Sequence, residues 1–172
     1  MKTLLFFAFF LLPLSLVHAE DSKPPFTLEI VSSKSSKDPQ IIALDKPVDF
    51  NVVLTNSSGK PQPIWDYAYS WGYQNISFEF TMSDGKKFLI SKLPQGFTRN
   101  GQSTFLIPPG GHQEYVIRFD KEWATTPDFT QKGETPVLLK AIYTVPNDDD
   151  SSNFRVWAGR IESKEYKVLL SQ

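Results

Sequence analysis

The chain has 172 residues, with 18 Lys and Arg residues, 19 Asp and Glu residues, two His and no Cys. A net charge near zero gives no electrostatic reason to expect a nucleic acid or an anionic membrane as partner. The absence of cysteine excludes disulfides, thiol nucleophiles and cysteine-ligated metal sites.

The first 19 residues have the features of a cleaved secretory signal peptide. Lys2 precedes an apolar run over residues 4–17, and Val17-His18-Ala19 places small residues where a signal peptidase cleaves. The run is too short and too interrupted to span a bilayer comfortably. We therefore expect a secreted or periplasmic protein with no membrane span after cleavage. Its single domain, residues 20–172, has a net charge of −2 and one histidine, His112.

Short segments in which apolar and polar residues alternate with a period of two predict strands with one buried face. These segments are residues 26–31, 48–55, 76–82, 88–90, 104–107, 114–119, 137–145 and 165–170, and a further short strand is expected near residues 156–157. Asp84-Gly85 is a turn signal that predicts a hairpin between the third and fourth segments. Residues 32–40 and 147–153 are polar and predict loops.

Eight or nine short strands, separated by turn signals that include many of the 13 prolines and nine glycines, favour an all-β fold. No window of a dozen residues carries a helical apolar stripe without a proline or glycine inside it. We predict an antiparallel, immunoglobulin-like β-sandwich, with a closed barrel as the alternative.

The most distinctive feature is a run of five aromatic residues on every second position: Trp65, Tyr67, Tyr69, Trp71 and Tyr73. As one strand, this run would line one face with rings for about 27 Å and could stack on sugar rings. Alternatively, the first ring ends a core strand, the last two begin the next, and the middle two cover a loop. Gly72 favours this second interpretation, because glycine is rare inside strands.

Two polar loops carry further candidate site residues. The glycine-bounded segment 95–101 contains Phe97, Arg99 and Asn100, and binding residues often lie on such loops. The second loop contains Asp148-Asp149-Asp150, whose oxygens make it a weak calcium candidate, although the spacing differs from that of an EF-hand. A solvated hairpin tip is the other interpretation of this acidic loop.

Recognisable catalytic motifs are missing from the sequence. The sequence contains no Gly-x-Ser-x-Gly motif whose serine His112 could activate as a nucleophile. It also contains no glycine-rich phosphate-binding loop. A pair of carboxylates at glycosidase separation depends on geometry, so this enzyme class stays open. Asn56 and Asn75 each begin an N-x-S sequon, which is relevant only to a eukaryotic secretory route.

The C-terminal third contains residues 137–143, of the type aliphatic-x-Ala-x-Tyr, followed by residues 156–163, which read Val-Trp-x-Gly-x-x-x-Ser. This order resembles the end of a group of secreted bacterial Ig-like proteins that is largely uncharacterised. The resemblance extends from about Val48 onward and includes short matches at residues 54–58, 70–73, 76–80, 84–86, 96–100 and 108–111. It implies the sandwich fold and gives Trp157 and Gly159 a structural role. The predicted sandwich is also loosely similar to the intracellular proteinase inhibitor type of domain. A strictly intracellular inhibitor, however, would not carry a signal peptide.

We therefore expect an exported, non-catalytic binding module without a cofactor, whose ligand is a protein or a cell-envelope polymer. Its alternatives are a carbohydrate-binding module that uses the aromatic run, a protease-inhibitor-like domain, and an enzyme that acts on glycosides with paired carboxylates. Trp65 is expected to be structural, as are Trp157 and Gly159. The candidate binding residues are Tyr67, Tyr69, Trp71, Tyr73, Phe97, Arg99 and Asn100.

Overall fold

The computed structural model describes residues 23–32, 40–43, 50–124 and 135–171. The predicted signal peptide lies outside these ranges, within which no helix is long and apolar enough to cross a membrane. The strands are β1 (Phe26–Ser32), β2 (Gln40–Ala43), β3 (Phe50–Asn56), β4 (Gln62–Trp65), β5 (Ile76–Thr81), β6 (Lys87–Ser91), β7 (Thr104–Ile107), β8 (His112–Ile117), β9 (Thr135–Val145), β10 (Gly159–Glu162) and β11 (Tyr166–Ser171). The helices are α1 (Ser70–Tyr73) and α2 (Asp149–Asn153).

These strands form two main sheets and one small sheet. The first main sheet has the order β1-β3-β8, and the second has the order β2-β11-β9-β5-β6, with β10 also paired to β9. Strands β4 and β7 pair separately. All pairings are antiparallel except that of β2 with β11. The sheets are not closed, so the predicted antiparallel sandwich is confirmed and the barrel alternative is wrong.

An aromatic core joins the two main sheets. Phe50 on β3 and Phe78 on β5 are fully buried, and their ring centroids are 5.5 Å apart. Phe119 follows β8 and contacts both rings, at 5.7 and 5.2 Å. Edge-to-face ring packing of this kind adds to the stabilisation that burial of apolar area provides. The described core is therefore held by aromatic packing, in a chain that has no cysteine.

The β5–β6 hairpin forms where the Asp-Gly signal predicts it. Asp84 accepts a hydrogen bond from the Lys86 amide at 2.9 Å, and Gly85 has a φ of +85°. The pairing then aligns Phe80 with Phe88. Such a turn needs a residue that tolerates positive φ, which explains the success of this local prediction.

By contrast, β7 and β8 flank a tight turn but belong to different sheets. Asn56, which is fully buried, donates through Nδ2 to the carbonyls of Ile107 and Lys60, both at 2.8 Å. Its backbone also bonds to Gly110 and Gly111. The end of β3 therefore holds this turn, and a glycan on Asn56 Nδ2 would disrupt two hydrogen bonds, of which the one to Ile107 is buried.

The strand predicted near Val156 and Trp157 forms just after them, from Gly159 to Glu162. A Cβ on Gly159 would lie 2.5 Å from Cζ2 of Trp157, and the φ of +151° also favours glycine. The Trp157 ring in turn packs edge-on against Phe26, with centroids 5.9 Å apart. The indole and the glycine thus fit together as one packing unit beside β1.

A bulge separates β10 from β11 along the same edge of β9. Ser163 exchanges two hydrogen bonds with Ala141, one from its amide and one to its hydroxyl, both at 2.9 Å. Three residues, 163–165, thereby lie opposite two on β9. This geometry gives the last serine of the Val-Trp-x-Gly-x-x-x-Ser pattern a local role in ending one strand and starting the next.

Candidate functional site

The five alternating aromatic residues do not form one strand, so the flat platform interpretation is wrong. Trp65 is buried at the end of β4, and the chain then turns into α1, with the Tyr69 amide bonded to the Asp66 carbonyl at 3.2 Å. A Cβ on Gly72 would collide with the carbonyl of Asp66 and lie 2.8 Å from the Tyr67 nitrogen. This close approach folds the run back on itself and sends its rings to different neighbours.

Trp71 lies in a cluster that ties three segments together. Its indole Nε1 donates to Asp150 Oδ2 at 2.7 Å, and its ring lies 6.1 Å from that of Trp65. Gln102 Nε2 donates to the other oxygen of Asp150 at 2.6 Å. Phe154, just after α2, packs on Trp65 at 5.3 Å. The half-buried Trp71 therefore anchors α1 to α2.

This cluster also accounts for two of the three aspartates proposed as calcium ligands. Both oxygens of Asp150 are engaged as described. Asp148 caps α2 by accepting from the Ser151 amide at 2.8 Å, while Asp149 is exposed in the first turn. Among the described residues no group of three or more His, Cys, Asp or Glu side chains is arranged to hold a metal ion.

The loop over residues 93–102, called the tethered loop below, is exposed but fixed at several points. Phe97 packs edge-on against Tyr73 at 5.6 Å. Asn100 donates to Ser70 Oγ at 2.9 Å and accepts from the Ser70 amide at 3.3 Å. Arg99, between these anchors, is exposed and forms no ion pair with another residue of the described ranges. The proposed residues Phe97 and Asn100 thus hold the loop that presents Arg99.

A cleft of about 180 Å³ lies between β8 and residues 67–76, which include α1, and Lys92 and Trp123 also line it. Tyr67 and Tyr115 meet edge-to-face at 5.8 Å in one part of it. We call it the aromatic cleft, defined by Tyr67, Tyr73, Lys92, Tyr115 and Trp123. Two candidate binding residues, Tyr67 and Tyr73, therefore come together with three residues that the sequence did not suggest. Tyr69 is half-buried and does not line this cleft.

Lys92 brings a positive charge onto the rings of the aromatic cleft. Its Nζ lies 4.0 Å from the centroid of Tyr73, 5.7 Å from that of Trp123 and 3.9 Å from Glu122 Oε2. Burial lowers the pKa of Lys92, against the opposing effect of Glu122. Burial also raises the pKa of Tyr73, and Glu122 adds to that shift. No local motif reveals this group, because Lys92 and Trp123 are distant in the sequence and come together at an isolated β-bridge.

Behind the cleft lies a buried polar cluster. The rings of Tyr115 and Tyr143 are 6.4 Å apart, and burial raises the pKa of Tyr143 to about 12. Within the described ranges, the Tyr143 hydroxyl and Asn75 Nδ2 form no hydrogen bond of good geometry, although, against the larger effect of burial, Asn75 and Tyr115 are near enough to the hydroxyl to lower the pKa of Tyr143. Asn75 is 5% exposed, so the second sequon is also covered by the fold.

A second, larger depression runs between β1 and β10 and has a volume of about 560 Å³. It brings Glu29, Glu162 and Glu165 to one groove. Glu162 binds Lys140 at 3.0 Å and Arg160 at 2.8 Å, and Lys140 first, then Arg160, lowers the pKa of its carboxyl group. A glycosidase acid needs the opposite shift, which makes Glu162 a poor general acid.

Comparison with known proteins gives no relative from which to transfer a function. No family model, curated protein or solved structure matches this chain. The resemblance to secreted bacterial Ig-like proteins therefore stays an expectation from the sequence.

Proposed function

We propose that this protein is an exported, non-catalytic binding module that recognises another protein at the aromatic cleft. The observation that carries the proposal is a cleft with several aromatic residues whose mouth is exposed: Tyr67 keeps 51% of its surface and Val116 keeps 69%. Tyrosine and tryptophan dominate the energetic centres of protein interfaces. Exposed apolar residues beside such rings favour contact with a partner surface.

The size of the cleft favours a protein partner over a free small molecule. Its volume of about 180 Å³ is below the roughly 300–1,000 Å³ of typical small-molecule sites. A space of this size suits one side chain that projects from a larger surface. The carbohydrate alternative loses its main support, because the aromatic run does not form a flat row of rings.

Export is part of the same proposal. It is supported by the basic start, the apolar run and the small residues at positions 17 and 19. The non-catalytic assignment is supported by the missing sequence motifs and by the lowered pKa of Glu162 in the larger groove. A partner in the cell envelope or outside the cell follows from this location.

The test is capture of a partner from the cell envelope by the exported protein and by two variants. Tyr67→Ala removes an exposed ring at the mouth of the cleft and should abolish specific capture. Leu106→Ala is the matched control, because Leu106 is 64% exposed on β7 and does not line the cleft. Capture that survives in the first variant at the level of the control would contradict the proposal.

A second candidate function, inhibition of a protease by the tethered loop, is favoured by one specific observation. Arg99 is exposed between the anchors Phe97 and Asn100, so a protease that cleaves after basic residues would meet a held loop. The expected result is inhibition of such a protease with slow cleavage, lost in Arg99→Ala. Rapid cleavage after Arg99 would exclude this function.

A further inference from the structure

We propose that the aromatic cleft recognises a basic side chain, arginine or lysine, of a partner polypeptide. This inference rests on the proposed binding function and specifies the chemistry of its ligand. It combines the ring faces of the cleft, the charges around it and the free edge of the neighbouring strand.

One ring of the cleft, that of Tyr73, is already in contact with a cation of the same chain, the ammonium group of Lys92. Lys92 Nζ lies 4.0 Å from the centroid of Tyr73, within the range in which an ammonium ion is attracted to a ring face. The same nitrogen is 5.7 Å from the centroid of Trp123. Tyr67 lines the same cleft and is 51% exposed, so a second cation has an accessible aromatic ring beside it. A guanidinium group suits such a site, since it sheds water more readily than an ammonium group.

The charges around the cleft select for a cation. Glu114 lines the cleft, and Glu122 lies 3.9 Å from Lys92. Asp120 and Asp66 are close enough to raise the pKa values of Tyr73 and Tyr115, respectively. Glu114 and Glu122 outnumber the one ammonium group of Lys92 at the cleft, so these three groups carry a net charge of −1. An acidic ligand would meet this negative field, and a basic side chain complements it.

The neighbouring strand favours a polypeptide as the source of the cation. Strand β8 is the outermost strand of its sheet, and among the described strands it pairs only with β3. Its residues 114–117 line the cleft. An extended segment beside β8 could use main-chain hydrogen bonds while it inserts one side chain among the rings. The cleft volume accommodates that one side chain.

The experiment titrates the exported protein with small probes and follows amide chemical shifts by NMR at low ionic strength. The probes are N-acetyl-arginine amide, its neutral isostere N-acetyl-citrulline amide, N-acetyl-glutamate amide and tetramethylammonium. We expect the arginine probe to bind about tenfold more tightly than the citrulline probe. Added salt should weaken the arginine probe, because the surrounding carboxylates are partly exposed.

Two variants locate the effect. Tyr67→Ala and Glu114→Gln should each weaken the arginine probe several-fold, while Leu106→Ala should leave it unchanged. Equal binding of the citrulline probe, or tighter binding of the glutamate probe, would overturn the cation assignment. Tighter binding of tetramethylammonium than of the arginine probe would overturn the polypeptide source and indicate a free quaternary ammonium ligand.

The outcome separates this inference from the proposed function. If no basic probe binds but capture of a protein still requires Tyr67, the cation assignment fails and the cleft remains a binding site. If capture does not require Tyr67, the proposed function itself fails.

Discussion

Tyr143→Phe should make this protein more stable, although it alters one of the most deeply buried side chains. Tyr143 is 1% exposed, and its hydroxyl forms no hydrogen bond of good geometry within the described ranges, while burial raises its pKa against the weaker, opposing interactions with Asn75 and Tyr115. A buried polar group without a partner costs about 1–3 kcal/mol. Phenylalanine keeps the ring that packs at 6.4 Å from Tyr115 and removes only the oxygen.

The expected gain is about 1 kcal/mol at neutral pH, because the oxygen also fills space that the variant leaves empty. For a domain of this size, that gain raises Tm by roughly 2–4 °C. Urea unfolding followed by tryptophan fluorescence measures the difference directly. Tyr67→Phe is the matched control, because Tyr67 is 51% exposed and its hydroxyl can reach water.

The same residue predicts a difference between the two proteins at high pH. Burial raises the pKa of Tyr143 to about 12 from 10.0, so the folded state favours the protonated phenol. The corresponding stability is fully present below pH 10 and is lost as the pH rises towards 12. Two pKa units correspond to about 3 kcal/mol, which the wild-type protein loses in this window and Tyr143→Phe does not.

Two results would refute this reasoning. Destabilisation of Tyr143→Phe by more than about 1 kcal/mol at pH 7 would mean that the hydroxyl has a partner that stabilises it. Parallel loss of stability in both proteins between pH 10 and 12 would mean that Tyr143 ionises normally in the folded state.

Three further substitutions test the packing that positions the cleft and the loops. Gly159→Ala should destabilise the fold by about 2–4 kcal/mol in urea unfolding, because the new methyl group would lie 2.5 Å from Trp157. Gly59→Ala is its control and should be near neutral, because the space around Gly59 is open. Asn56→Ala should cost about 2 kcal/mol, since the buried carbonyl of Ile107 and the partly exposed carbonyl of Lys60 lose their donor. An unchanged urea midpoint would contradict the role of Asn56 in the β7–β8 turn. Asp150→Ala should shift tryptophan emission to longer wavelength by releasing the Trp71 indole, while the exposed Asp149→Ala should not.

The strands with regular alternation could be predicted because their burial is a local property of the sequence. In β3, Phe50, Val52 and Leu54 face the core and the residues between them are half-exposed, as the period of two requires. The β5–β6 hairpin was equally predictable, because its turn chemistry lies within four residues. Short strands such as β4 and β10 carry too few residues for such a pattern.

The assignment of β7 and β8 to different sheets could not be predicted from neighbouring residues. Asn56 decides it by bonding to Ile107, 51 positions away in the sequence. A Pro-Pro-Gly-Gly turn between two apolar segments is equally compatible with a hairpin. The buried polar contact, rather than the turn itself, determines which strands pair.

In the candidate site, too, features that depend on neighbouring residues could be predicted from the sequence, and contacts between distant residues could not. The alternation of Trp65 to Tyr73 correctly marks a region rich in candidate residues, but the close approach of Gly72 to Asp66 determines where each ring goes. Trp123 joins Tyr73 and Lys92 only after the chain has passed through the tethered loop, β7 and β8. Sequence patterns therefore suggested two residues of the aromatic cleft and missed the other three.

The most direct test of the central claim is a comparison of partner binding by the wild-type protein, Tyr67→Ala and Leu106→Ala. Each exported protein is immobilised and exposed to solubilised cell envelope, and the specifically bound protein is quantified. The account predicts that wild-type and Leu106→Ala retain the same partner and that Tyr67→Ala loses it. Equal retention by all three proteins would contradict binding at the aromatic cleft.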